Sequence, residues 1–247
     1  IYFATKRHAL PFYESTSRLK KSLPGVTYRK VGSFKELKLL LSKQDCVYTK
    51  NDILELLLLR FLSVTTSLPP YIIGYHTPII YDRTPSVQAI LHNILYDSPL
   101  YLHLIRKAAG HHVLNRHDQI YLESKGIRSI VKLPNPFDFK AFSSSYKRKA
   151  HSHMRFLWTG RLTEQKGVTD LLDIISAVNR TDYAGQIEWH IAGTGELELR
   201  VREYAKHTPN VIYHGYVPAD KIARLYADSD IFLSTAKWES LPYSFLE

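Results

Sequence analysis

The 247 residues correspond to about 1.6 domains of ordinary size. Hydrophobic residues make up 45% and charged residues 23%, which excludes a disordered or low-complexity chain. A single cysteine, Cys46, excludes an intramolecular disulfide framework and a cysteine-based zinc site, and fits a reducing compartment. The net charge of +10 is unevenly spread. Residues 1–150 carry 23 Lys and Arg against 10 Asp and Glu, a net of +13; residues 151–247 carry 10 against 13, a net of −3. Such a split predicts two modules with different partners, the basic one attracting an anion such as a phospholipid headgroup, a lipid phosphate or nucleic acid.

In chain order, Ile1–Thr5 and Val26–Val31 read as strands, with a helix-like stretch, Tyr13–Leu23, between them. Phe34, Leu37, Leu40 and Leu41 share one helical face, which predicts a helix over Phe34–Leu41. Further strands are expected at Cys46–Thr49, Tyr71–Tyr75, His112–Asn115 and Ser129–Leu133, and an apolar buried helix at Ile53–Leu62. The most apolar stretch, Ile53–Val64, is too short to cross a membrane and carries Arg60, while Lys6, Arg7 and His8 argue against a signal peptide. The polar, basic run Phe142–His153 reads as a linker.

Alternation then restarts. Strands are predicted at Arg155–Thr159, Ile187–Ala192, Val211–His214 and Ile231–Ser234, and helices at Val168–Val178, Glu196–Lys206 and Ala219–Tyr226. The first turns of another helix are expected at Leu241–Glu247. Strands alternating with helices predict parallel sheets covered on both faces. The chain opens on Ile1 rather than methionine and closes inside an apolar-rich run, so a cut piece of a longer protein is expected.

Three segments carry candidate chemistry. Gly160-Arg-Leu-Thr-Glu-Gln-Lys-Gly167 joins a strand to a helix. Its glycines permit close backbone approach, Arg161 and Lys166 supply charge, and the helix N-terminus supplies free N–H groups. The segment suits a diphosphate, but a plain loop with two surface cations fits equally. Ala192-Gly-Thr-Gly195 is a tight strand-to-helix turn; Glu198 stands where a dinucleotide fingerprint has its third glycine. In the third segment, Glu239 and Glu247 flank Leu241–Leu246. Paired glutamates with helix amides between them can hold sugar or phosphate oxygens, although such pairs are more often solvated helix charges. His111 and His112 adjoin on a strand, so they point to opposite faces and do not readily ligate one ion.

The order Gly-Arg-Leu-x4-Gly, Ala-Gly-x-Gly, His-Gly-x-Val (His214–Val217), Ser-x4-Glu-x7-Glu (Ser234 to Glu247) resembles the retaining glycosyltransferases of family 4. The resemblance is densest over 155–247, fainter over 70–140 and architectural before that. It implies an α/β GT-B fold: two Rossmann-like doubly wound domains facing across a cleft. These would be an acceptor-side domain at 1–140, a linker at 141–153 and an incomplete nucleotide-sugar domain at 154–247.

By the same resemblance, Arg161 and Lys166 hold the donor diphosphate. Glu239 contacts the transferred sugar, and the amides around Tyr243 and Ser244 lie against it. Glu247 binds the ribose, and Gly193 and Gly195 form the turn near the nucleoside. His76, at a strand end, stands close to the reaction centre, and Asn135–Asp138 occupies a family motif before the linker. The implied partners are a nucleotide-sugar and a glycan or lipid-linked acceptor, with peripheral contact between the basic domain and an anionic membrane. No metal or other cofactor and no nucleic acid are expected, and the implied location is cytoplasmic, at the inner membrane face.

The sequence departs from the family in three places. The loop Thr5–Pro11 lacks the usual glycines, and Pro136 and Pro242 replace glycine. The altered loop motivates an alternative, a non-catalytic nucleotide-sugar-binding module. A nucleic-acid binder, suggested by the basic half and 17 tyrosines, lacks any helix-turn-helix, RNP or zinc pattern.

Overall fold

The computed structural model describes residues 31–81, 87–135, 137 and 151–246. The expected elements Ile1–Thr5 and Tyr13–Leu23, all but the last residue of Val26–Val31, the loop Thr5–Pro11, residues 142–150 of the linker, Pro136, Asp138 and Glu247 lie outside the described residues. The chain divides into two compact units that change over between Pro134 and Asn135, with the short segment 81–85 counted with the second.

In the first unit, helix α1 (Phe34–Leu41) starts where the Ser33 hydroxyl accepts from the Glu36 amide, and it buries Leu37 and Leu41. Strand β1 (Val47–Lys50) follows, then α2 (Ile53–Thr65), capped by Asp52, whose carboxylate accepts from the Leu54 and Glu55 amides. Leu56, Leu59 and Leu62 recur at helical spacing and are buried. Strand β2 (Tyr71–Tyr75) precedes α3 (Val87–Tyr96), α4 (Pro99–Ile105), β3 (Gly110–Val113), α5 (Arg116–Ser124) and β4 (Ile130–Lys132).

Apolar spacing alone does not bring out α3, α4 and α5. The last two are marked by their caps: Ser98 ahead of Pro99, and Asn115, whose side chain accepts from the Asp118 amide. Asn115 is therefore the cap of α5 rather than the end of a strand, and β3 begins at Gly110, two residues earlier than predicted.

Among the described residues the first sheet has the order β1-β2-β3-β4, and every pair is parallel. Side chains alternate across it. Ile73, Tyr75 and Val113 enter a core with Leu56, Tyr101 and Ile105. The opposite face receives Tyr48, Gly74 and His112, because the register sets Tyr48 beside Ile72 and Gly74 beside His112.

The second unit runs β5 (Met154–Thr159), a 3-10 turn (Glu164–Lys166), α6 (Val168–Val178), a second 3-10 turn (Ala184–Gln186), β6 (Ile187–Ala192), α7 (Glu198–Lys206), β7 (Val211–Gly215), α8 (Ala219–Ala227), β8 (Ile231–Phe232) and a third 3-10 turn (Tyr243–Phe245). Trp158, Trp189 and Ile191 of the sheet pack with Val168, Leu171, Leu172 and Ile175 of α6. β8 is shorter than predicted because it pairs with β5 at only two positions. The helical start expected at Leu241–Glu247 is only a 3-10 turn, closed by the Phe245 amide donating to the Pro242 carbonyl at 3.2 Å.

The second sheet is also parallel, in the order β7-β6-β5-β8. The chain winds outward from β5 through β6 to β7, then returns to the other side of β5. This reversal is a topological switch point, and ligands of open α/β sheets bind beyond the carboxyl ends of the strands at such a point. No helix among the described residues is long and apolar enough to cross a membrane.

Candidate functional site

The loops that leave β5 and β8 meet at this switch point. Gly167 follows the first 3-10 turn in the left-handed conformation, φ 67°, where glycine carries no steric cost. A Cβ there would lie 1.9 Å from the Thr235 carbonyl oxygen, so the two loops approach closer than any side chain permits. The Trp158 indole donates to the Thr235 hydroxyl at 2.9 Å, and that hydroxyl donates to the Lys166 carbonyl at 2.9 Å. The Lys237 amide donates to the Gln165 carbonyl at 2.9 Å.

These contacts bring Lys166 against Glu239. The ammonium of Lys166 pairs with Oε1 of Glu239, and the side chains are only 17% and 20% exposed. Arg161 is exposed, and its guanidinium donates to Oε1 of Gln165 at 3.1 Å. Gln165 in turn donates to the Trp238 carbonyl at 3.3 Å. Gln165 thus links the arginine to the residue before Glu239, a connection that sequence spacing alone does not reveal. Helix α6 begins beside Lys166 with Gly167 at its N-cap, so no side chain caps its first amides. Lys166 and the start of α6 therefore lie beside the Glu239 carboxylate, with Arg161 joined to the preceding residue through Gln165; side-chain cations and a helix N-terminus have affinity for an anion.

Gly193 and Gly195 sit on the neighbouring loop after β6. A Cβ on Gly193, whose φ is 140°, would lie 1.8 Å from the Gly160 carbonyl; one on Gly195 would lie 2.6 Å from the Leu162 carbonyl. The Leu162 amide donates to the Thr194 carbonyl at 2.9 Å, and the Gly193 amide to the Gly215 carbonyl at 2.8 Å. These glycines have an immediate structural task, the close packing of loop on loop. Ser244 is tied to the end of β5 through Tyr226. The Tyr226 hydroxyl donates to the Ser244 carbonyl at 3.3 Å and lies 2.7 Å from the Thr159 hydroxyl. Tyr243 opens the 3-10 turn Tyr243–Phe245.

His76 belongs to the first unit and directly follows β2. Its Nε2 is 2.9 Å from the Tyr48 hydroxyl, which is 2.7 Å from Nδ1 of His112. Partial burial lowers the His76 pKa below the ordinary imidazole value, and the neighbouring His112 and Lys50 lower it further. His111 faces the other way, as strand alternation requires: it is 3% exposed, and its Nδ1 is 3.0 Å from the Tyr75 hydroxyl. Burial holds its pKa down to about 4. Sequence reasoning singled out His76 but missed Tyr48 and His112. Tyr48 lies across Gly74, where a Cβ would come 1.9 Å from its hydroxyl. Among the described residues no group of three or more His, Cys, Asp or Glu side chains could hold a metal ion.

Comparison with known proteins agrees with this architecture. Residues 153–247 match the family Glycosyl transferases group 1. The amylovoran biosynthesis glycosyltransferase AmsD of Erwinia amylovora is 29% identical over 142 residues, covering 55% of this chain and 39% of AmsD. The apo lipopolysaccharide outer core galactosyltransferase WaaB superposes with a TM-score of 0.60 at 20% identity, over 86% of this chain and 56% of WaaB. A trehalose-6-phosphate synthase studied for glycosyltransfer with retention gives 0.62 at 13% identity, over 97% of this chain and 60% of that one. The fold is therefore the α/β GT-B fold of glycosyltransferases. The chain spans between about two fifths and three fifths of the length of these relatives.

Proposed function

We propose that the chain forms the acceptor-side domain and the front of the donor domain of a retaining family 4 glycosyltransferase. Such an enzyme moves a hexosyl group from a nucleotide-sugar to a glycan or lipid-linked glycan. The observation that carries the reading is the meeting of Lys166 and Glu239 at the switch point between β5 and β8. Their place in the motif order and the match of residues 153–247 to a glycosyltransferase family support it.

Departure of the nucleoside diphosphate builds negative charge on its oxygens. Lys166, Arg161 and the uncapped start of α6 would stabilise that charge. Arg161 can bind two oxygens with its planar fork, while Lys166 acts as a point charge. A diphosphate arriving at Lys166 would compete with Glu239 for the ammonium. The freed carboxylate could then accept hydrogen bonds from hydroxyls of the sugar. Tyr243 and Ser244 would line the sugar side, Glu247 would hold the ribose, and Gly193 and Gly195 would border the nucleoside.

In this reading no metal is required, because protein cations supply the charge. By its likeness to family 4, His76 would act close to the reaction centre, and the basic residues of that half would favour a phosphate-bearing acceptor or an anionic inner membrane face in the cytoplasm.

The test is a thermal-shift screen of the intact protein against a panel of nucleotide-sugars, followed by product analysis with EDTA present. A donor that raises the melting temperature and is turned over to a product of the same anomeric configuration supports the proposal. Donor binding without transfer or slow hydrolysis would identify a binding module instead, and loss of turnover in EDTA would overturn the metal-free mechanism.

A further inference from the structure

Each of the four described strands of the first sheet, or the residue just after it, contributes to one hydrogen-bond chain. Tyr48 lies on β1, His76 follows β2, His112 lies on β3 and Leu133 follows β4. Nε2 of His112 is 2.8 Å from the Leu133 carbonyl oxygen. Nδ1 of the same ring is 2.7 Å from the Tyr48 hydroxyl, and that hydroxyl is 2.9 Å from Nε2 of His76.

The protons in this chain follow from its fixed end. A carbonyl only accepts, so Nε2 of His112 carries a hydrogen. In the neutral ring Nδ1 is then a lone pair, and the Tyr48 hydroxyl must donate to it. A phenol has one hydrogen, so toward His76 its oxygen can only accept, and Nε2 of His76 must be the N–H. The remaining nitrogen of neutral His76, Nδ1, is left as a lone pair, and no described residue bonds to it. The lowered pKa of His76, set by partial burial, His112 and Lys50, favours the neutral ring.

We infer that Tyr48 and His112 are positioning residues that lock His76 as its Nε2–H tautomer, so that Nδ1 is presented as a hydrogen-bond acceptor to a hydroxyl of the sugar or acceptor. Through His76 this rests on the transfer reading above, but the lock itself is a property of the free protein. The site is built for it. Gly74 leaves the space that the Tyr48 ring occupies, and a side chain at Gly74 would displace that ring. The chain also sits at the carboxyl ends of parallel strands, where this class of sheet places its ligands.

The experiment is long-range proton–nitrogen NMR on the intact protein labelled at histidine nitrogens, at pH 8, with melting temperature measured alongside. The His76 signal is expected to show Nε2 as the protonated nitrogen. Tyr48→Phe, which keeps the ring but removes the hydroxyl, is expected to convert it to a mixture of tautomers without lowering the melting temperature appreciably. His112→Asn, whose side-chain oxygen can still accept from Tyr48, should retain the lock, and His112→Leu should release it. In the transfer assay Tyr48→Phe should lower kcat/KM by up to about tenfold, the scale of one ordinary hydrogen bond.

A His76 protonated at Nδ1 in the unaltered protein, or a tautomer unaffected by Tyr48→Phe, would overturn the inference whatever the activity. The expected tautomer shifts in a protein that transfers no sugar would uphold the lock and overturn the transfer reading alone.

Discussion

Each unit has a four-stranded parallel sheet among its described residues, and each places polar side chains at the carboxyl ends of its strands, but they do so by different means. In the first unit the strands lie in chain order, and chemistry comes from alternation: Tyr48, His76 and His112 meet because neighbouring strands present matching faces. In the second unit the chain reverses around β5, and chemistry comes from the crevice this opens. Backbone packing of two loops forces Lys166 and Glu239 together. The first site depends on side chains and their protons, the second on loop geometry and fixed charge.

The largest effect is expected at the charge pair of the second unit. Lys166→Ala or Glu239→Ala should lower transfer by at least about a hundredfold, roughly 3 kcal/mol of transition-state stabilisation, while circular dichroism stays native. Near-normal turnover in either variant would remove the second unit's site.

Two glycines sharpen the contrast next. Gly167 and Gly126 have similar positive φ, 67° and 73°, but a Cβ on Gly167 would meet the Thr235 backbone, whereas one on Gly126 meets nothing within 4 Å. Gly167→Ala should therefore cost at least about 2 kcal/mol in urea unfolding, and Gly126→Ala only about 1 kcal/mol. Equal losses would show that backbone conformation alone, and not loop packing, matters at Gly167.

Acid provides a third test, centred on the first unit. The His111 pKa falls from 6.5 to about 4 in the fold, so the unfolded chain binds the proton more readily. Its contribution is fully present above pH 6.5 and is lost as pH falls toward 4. Stability should drop by on the order of 2 kcal/mol between pH 7 and pH 5 from this group. His190 and His214 of the second unit, also lowered by burial, act in the same direction. Denaturant titrations should show a flatter acid limb for His111→Gln; an unchanged limb would assign the acid sensitivity to other lowered histidines, such as His76, His190 and His214.

The smallest expected effect is at Gln165. Gln165→Ala removes the link between Arg161 and Trp238 but no charge, so transfer should fall only by about three- to tenfold, roughly 1 kcal/mol. A loss as large as that of Lys166→Ala would make Gln165 part of the charge site rather than its support.

Much of the fold was legible where local physics decides it. Helix α6 appears at its predicted bounds because Val168, Leu171, Leu172 and Ile175 recur at helical spacing and all find the core. β6 likewise appears where its apolar run predicts it. Helices α3 to α5 were missed by apolar periodicity, although Ser98-Pro99 and Asn115 mark two of their starts. In the second site, Arg161, Lys166 and Glu239 could be singled out from motif order, but Gln165, Trp158 and Thr235 could not. Their roles are hydrogen bonds between segments about 70 residues or more apart, for which residue type carries no signal.

Residue order alone carried the alternation of strands and helices, the charge break between the halves and the glycines and cations of the loop after β5, because periodicity, composition and motif spacing are local properties of a chain. Tertiary structure alone decided which of those residues meet. Strand order set Lys166 against Glu239, and parallel register set Tyr48 between two histidines. Hydrogen bonds and ion pairs act over only a few ångströms, and which distant segments come within that range is settled by how the sheets are ordered and packed.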